Sequence, residues 1–169
     1  ERAFPSNDWI RGVGENYEGL IKVELVRLET NRDKKRVLLE SAVSDMEDGV
    51  SRCKRLILSR PVPTLIVAVG TFEDGFGETL NELYLLTEDE KVLSRAIDVY
   101  EDAAEKFKKV NLPSRVAECY WKKARSQDYL GKHQKAAENF ENAFTEYKDA
   151  AQRIPHFADF YLDYATYMK

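Results

Sequence analysis

Only two histidines occur in this chain, His133 and His156. Imidazole is the side chain best suited to acid–base work and metal ligation near neutral pH, and a metal site built on a helix needs a second ligand about one turn away. Gln134 and Ala136 lie beside His133, and His156 follows Pro155, so both histidines read as turn residues. The two cysteines, Cys53 and Cys119, are far apart and unpatterned. They read as buried thiols in a reducing cytosol. Gly12-Val13-Gly14 begins like a dinucleotide fingerprint, but Tyr17 stands where the third glycine belongs and no strand precedes it. Asp74 and Glu78 flank Gly75 and Gly77 without the alternating carboxylates of a calcium loop. No serine, histidine and acid constellation and no glycine-rich loop ending in Gly-Lys-Ser/Thr is present. The expectation is a protein that is not an enzyme and carries no metal and no cofactor.

What remains for this chain to do is recognition. Its 169 residues are 43% hydrophobic and 33% charged, with a net charge of −4, a composition typical of a helix-rich domain with a real core. The acidic balance speaks against nucleic acid and anionic membrane surfaces, which call for clustered Lys and Arg. The longest apolar run, residues 65–69, is far too short to span a bilayer, so no integral membrane contact is expected. The chain begins at Glu1 without Met and ends inside an apolar periodic segment. It reads as a single helical-repeat domain, 1–169, from a longer cytoplasmic protein.

The elements that would carry such a surface follow from hydrophobic spacing and proline. Pro5-Ser6-Asn7 reads as a helix start, with Ser6 or Asn7 as N-cap. Tyr17, Leu20, Ile21, Leu25 and Leu28 then form one stripe. A second stripe runs through Leu38, Ala42, Met46, Gly49, Val50, Cys53, Leu56 and Ile57, so residues 8–30 and 33–59 read as a helical hairpin. Arg60-Pro61-Val62-Pro63 stops it. Residues 64–72 are rich in β-branched side chains, but no second strand-like run exists to pair with them, and they read as a buried helix. Gly70, Gly75 and Gly77 predict a kink or break near residues 73–77. Thr87-Glu88-Asp89-Glu90 has the form of a capping box, and residues 133–153 read as a later helix. Pro5, Pro63, Pro113 and Pro155 each mark entry into the first helix of a hairpin, where a missing N–H costs nothing.

An internal repeat fixes the register. Residues 95–109 match residues 135–149 at nine of fifteen positions in identity or type, with a period of 40. Ala96, Tyr100, Ala103 and Phe107 fall on Ala136, Phe140, Ala143 and Tyr147. Spacings of 4, 3 and 4 place each set on one helical face, where alanine lets a neighbouring helix approach and the ring fills the gap one turn on. Hairpins of this kind bury their faces only by stacking. The prediction is an all-α, right-handed stack of antiparallel helical hairpins: three hairpins and one extra C-terminal helix.

Leu130-Gly131, followed by Ala136, Phe140 and Ala143, resembles the tetratricopeptide (TPR) motif, with Gly131 at the left-handed turn. The resemblance is clearest over residues 87–151. Residues 118–127 depart from it, offering Tyr120 and Ala124 but not the motif's Trp, Leu and Gly. A period longer than the usual one also occurs in the SNAP adaptor family, which residues 96–109 resemble more loosely. The TPR resemblance implies a concave groove that takes a protein or peptide. By its register Glu118, Trp121, Arg125 and Asp128 face that groove, and so does Asn81. The lysines that partner such an asparagine in carboxylate-binding members are absent. Trp121 and Arg125 make the aromatic and cationic pair that often dominates interface energy, so Trp121→Ala is expected to weaken binding more than folding. The readings left open are a SNAP-like trafficking adaptor, a sensor or regulatory segment of a larger ATPase, and an enzyme on a helical scaffold.

The last helix predicts a second surface. Phe157, Phe160, Tyr161 and Tyr164 share a face, with Tyr167 partly beside them. A terminal helix with no polar outer face exposes an apolar strip. The expectation is that another helix continues the stack there, or that two copies form a homodimer through it.

Overall fold

The computed structural model describes residues 7–148, 150 and 157–168. Seven α-helices account for nearly all of them: α1 Asn7–Leu28, α2 Arg32–Ser59, α3 Pro63–Thr87, α4 Glu90–Lys109, α5 Pro113–Tyr129, α6 His133–Lys148 and α7 Phe157–Tyr167. No strand occurs among the described residues. The most extensive packing joins α1 to α2, α3 to α4 and α5 to α6, and α2–α3 and α4–α5 contacts link these hairpins into a stack. α1 only grazes α3.

The turns are made by residues suited to them. Pro63 and Pro113 sit in the first turns of α3 and α5. Gly131 takes φ +68° between α5 and α6, a conformation that costs glycine little. Between α3 and α4 the cap differs from the one predicted. Asp89, not Thr87, is the N-cap, and its carboxylate accepts from the Lys91 amide at 2.9 Å. Thr87 is the last residue of α3 and its hydroxyl donates to the Leu83 carbonyl. Glu88 in the left-handed region (φ 55°) closes α3, so the two helices meet too tightly to leave Thr87 outside both. Pro5, Ser6, Pro155, His156 and most of the predicted extension of α6 to 153 lie outside the described residues.

Two expectations are corrected. α3 is one continuous helix with no break at residues 73–77. Its glycines admit rings from α4: a Cβ on Gly77 would lie 2.5 Å from the Tyr100 ring, and one on Gly70 3.1 Å from that of Phe107. In α1 the Tyr17, Leu20, Ile21, Leu25 and Leu28 stripe faces outward. The buried face is Gly12, Asn16, Gly19, Val23 and Val26. Close backbone approach decides this orientation. A Cβ on Gly49 of α2 would fall 2.6 Å from the Gly12 carbonyl oxygen, and Asn16 donates to that carbonyl at 2.7 Å.

The core has two parts. One gathers Val23, Val26, Leu39, Met46, Val50, Phe76 and Leu80 of α1–α3 around Ala96 and Tyr100. The other joins Ala103 and Phe107 to Val116, Trp121, Phe140, Ala143, Tyr147, Phe157 and Phe160. α4 contributes its first half to one and its second half to the other. Between them, two consecutive buried carboxylates on α3 bind three neighbours. Glu73 pairs with Lys54 of α2 at 2.8 Å and Lys106 of α4 at 2.7 Å. Asp74 pairs with Lys122 of α5 at 2.7 Å and Arg115 at 3.1 Å.

Glycine substitutions separate the two roles that α1 and α2 glycines play. A methyl group added at Gly14 would meet nothing within 4 Å, so Gly14→Ala should stabilise by up to about 1 kcal/mol through helix propensity. Gly49→Ala should destabilise by about 1–3 kcal/mol through overpacking. Urea unfolding of both variants checks this, and a gain from Gly49→Ala would refute the close α1–α2 approach.

Candidate functional site

The first helices of the second and third hairpins, α3 and α5, border a cleft of about 530 Å³. Arg27 of α1 enters from one side. Glu78, Asn81, Glu82 and Leu85 of α3 form a wall, and Glu118, Trp121, Lys122, Arg125 and Tyr129 of α5 face it. Tyr100 of α4 lies beneath. Spacings of 3 and 4 put Glu78, Glu82 and Leu85 on one face of α3.

The polar groups at the bottom of the cleft are committed to one another. Asn81 donates to the Tyr100 hydroxyl at 2.9 Å and accepts from Ser126 at 3.1 Å. Lys122 lies 2.7 Å from Asp74, 2.6 Å from Glu78 and 3.2 Å from Glu118. Burial alone would pull its ammonium down, and the three carboxylates more than reverse that, holding it above the ordinary lysine range. Burial pushes the Asp74 carboxyl up against the pull of Lys122. Glu82 is raised mainly by burial, with Glu78 and Glu24 adding and Arg27 opposing. Cys53 is lifted by burial to about 11 and Cys119 is raised for the same reason, so neither thiol is poised as a nucleophile. Among the described residues no group of three His, Cys, Asp or Glu side chains is placed to hold a metal ion.

The structure separates the four groove residues read from the sequence. Arg125 is on the cleft surface, half exposed, 5.9 Å above the Trp121 ring. Glu118 is buried and ion-paired to Arg115 at 2.6 Å. Asp128 points to the next turn, where it meets His133 Nδ1 at 2.8 Å. Trp121 is only 6% exposed. Its indole N–H donates to Asp163 of α7 at 2.9 Å, and its ring packs edge-on to Phe157 and Phe160 at 5.6 and 6.0 Å. It joins α5 to α7 and reaches the cleft only at its edge, so the burial favours a cost to folding as well as to binding for Trp121→Ala. The repeat positions Ala96, Tyr100, Ala103, Phe107, Ala136, Phe140, Ala143 and Tyr147 are all buried.

α7 is also less open than its sequence suggests. Phe157 and Phe160 are fully buried. Tyr164 stacks on Phe144 at 5.3 Å and donates to Glu141 at 2.7 Å. Tyr167 lies 4.8 Å from Phe140 and donates to the His133 carbonyl. The five-ring strip predicted for self-association is therefore mostly folded back onto α5 and α6, and only Tyr161 among its members is exposed. The rings turn inward because the α5–α6 hairpin presents Trp121, Phe140, Phe144 and Tyr147 to receive them.

Sequence reasoning misses Arg27, Glu78, Glu82, Leu85 and Tyr129. The α3 residues are within its reach, since Asn81 falls on the groove by register and Glu78, Glu82 and Leu85 are about one turn or less from it. Arg27 is not, because a lone cation at the edge of the α1 apolar stripe carries no pattern that links it to α3 or α5.

Residues 77–159 match the family model of the soluble NSF attachment protein, SNAP. The match begins in the middle of α3, where the cleft begins, and reaches into α7. It covers just under half of the chain, so it marks similarity to that family of helical adaptors. No curated protein matches the chain in sequence. No helix among the described residues is long and apolar enough to cross a membrane.

Trp121→Ala should lower stability by about 3–5 kcal/mol, the range for emptying a buried aromatic site. Chemical denaturation measures it. A loss below about 1 kcal/mol would return Trp121 to the role of a surface anchor.

Proposed function

We propose that this protein is a non-catalytic helical adaptor that holds a protein partner in the cleft formed by α1, α3 and α5. The observation that carries the reading is the cleft itself: α3 and α5, the first helices of two successive hairpins, form facing walls, and Arg27 of α1 closes one side. Its deep charges are neutralised internally, which suits a surface that must stay folded and fixed in shape. Its rim offers exposed apolar side chains, Leu85 at 61% and Tyr129 at 54%, that have no role in the core. Such side chains favour a docking role when they border a cleft.

The similarity of residues 77–159 to the SNAP family supports an adaptor of that kind. Proteins of that family are named for attachment to NSF, and the corresponding reading here is a bridge between a client protein and a larger assembly. The TPR-like register of Ala136, Phe140 and Ala143 supports the same class of partner.

A photo-crosslinking side chain placed at Leu85 or Tyr129 should capture a protein from native extract, whereas the same group at exposed Val37 of α2, outside the cleft, should not. Equal capture at all three positions, or none at Leu85 and Tyr129, would overturn the assignment of the cleft.

A further inference from the structure

The outer face of α1 is the least explained surface of the molecule. Tyr17, Ile21, Leu25 and Leu28 are 57%, 59%, 47% and 81% exposed, and with Leu20 they line an apolar shelf of about 470 Å³. The shelf adjoins the cleft at Arg27, which borders both. A surface helix normally turns its large apolar side chains inward. Here the inward face is given to glycine, asparagine and valine, and the large side chains are left outside.

Three features define what fits. The exposed residues recur at spacings of 4, 4 and 3 along about 17 Å of helix, which is the ridge that a second helix of three turns packs against. Every backbone group of α1, α3 and α5 along this surface is inside a helix, and the Asn81 amide is engaged by Tyr100 and Ser126. A ligand must therefore satisfy its own backbone, as a helix does. Where shelf meets cleft, Glu24, Glu78 and Glu82 face Arg27, 2.9 Å from Glu24, and Lys122, 2.6 Å from Glu78 but shared with Asp74 and Glu118, so the carboxylates there outnumber the cations that pair with them. Glu82 is held above the ordinary carboxyl range by burial and by its acidic neighbours, so an added cation there is favourable.

We propose that the α1 shelf and the adjoining cleft seat an amphipathic α-helix of a partner protein. Its apolar stripe covers Tyr17, Ile21, Leu25 and Leu28, and its Lys or Arg residues face Glu24, Glu78 and Glu82. This rests on the adaptor reading and adds the partner's chemistry to it. An anionic membrane is disfavoured because the carboxylates would meet like charge. A second copy is disfavoured because a two-fold contact would oppose the same carboxylates to themselves.

The probe is a labelled helical peptide of about 18 residues, long enough for the ridge at 1.5 Å per residue, with leucines on one stripe flanked by lysines. A second peptide carries glutamates in place of the lysines. Binding of each to the whole chain is followed by fluorescence anisotropy. The lysine peptide should bind at least ten-fold more tightly than the glutamate peptide. Ile21→Asp should abolish binding without moving the melting temperature, Val37→Asp should leave it unchanged, and Glu24→Lys with Glu82→Lys should reverse the preference. Equal binding of both peptides, no binding of either, or insensitivity to Ile21→Asp would overturn the proposal. So would anionic vesicle binding, or concentration-dependent dimerisation, that Ile21→Asp removes. If crosslinking at Leu85 and Tyr129 still captures a partner while the peptides fail, the adaptor reading stands and the partner class is wrong.

Discussion

Two adjacent carboxylates in the middle of α3 hold this molecule in its arrangement. Glu73 and Asp74 are 1% and 5% exposed, and consecutive positions on a helix project about 100° apart. One therefore reaches α2 and α4 through Lys54 and Lys106, and the other reaches α5 through Arg115 and Lys122. Buried ion pairs add little net stability compared with well-packed apolar residues, but removing one partner strands the other and costs about 3–5 kcal/mol. Their contribution here is to position. Apolar packing between hairpins tolerates sliding by a turn, whereas a buried lysine that must find its carboxylate does not. The α3 wall of the cleft descends from the same helix, so the placement of Glu78, Glu82 and Leu85 opposite α5 depends on these pairs.

Small residues supply the complementary half of the design. Gly12 and Gly49 bring the backbones of α1 and α2 together, and Gly77 and Gly70 let the Tyr100 and Phe107 rings lie against α3. Because α1 spends its inner face on close contact, its large apolar side chains are free to form an outer surface. The exposed shelf and the tight hairpin are two consequences of one choice of residues.

These contacts explain what is and is not legible in the sequence. The hairpin order is legible because Ala96, Tyr100, Ala103 and Phe107 return forty residues later as Ala136, Phe140, Ala143 and Tyr147, and a packing face repeated in register is a direct signal. The face of α1 is not legible, because hydrophobicity weights Leu and Ile above Gly, while close helix packing prefers Gly. The α3 glycines look like a break for a related reason: sequence shows the missing side chain but not the ring that occupies its space. Register places Trp121 near the cleft, yet its indole is claimed by Asp163, Phe157 and Phe160 of α7, partners that no local pattern announces. Most of the acidic rim escapes notice because single carboxylates on a helix surface look alike until the opposite wall is known.

If the α3 carboxylates set the hairpin arrangement, their loss should release hairpins selectively. Native-state hydrogen exchange of the chain and of Asp74→Ala measures this most directly. The account predicts that amides of α5 and α6 lose protection while those of α1 and α2 keep theirs, because Asp74 binds only the α5 side. A uniform loss across all helices, or undiminished protection in α5, would contradict it.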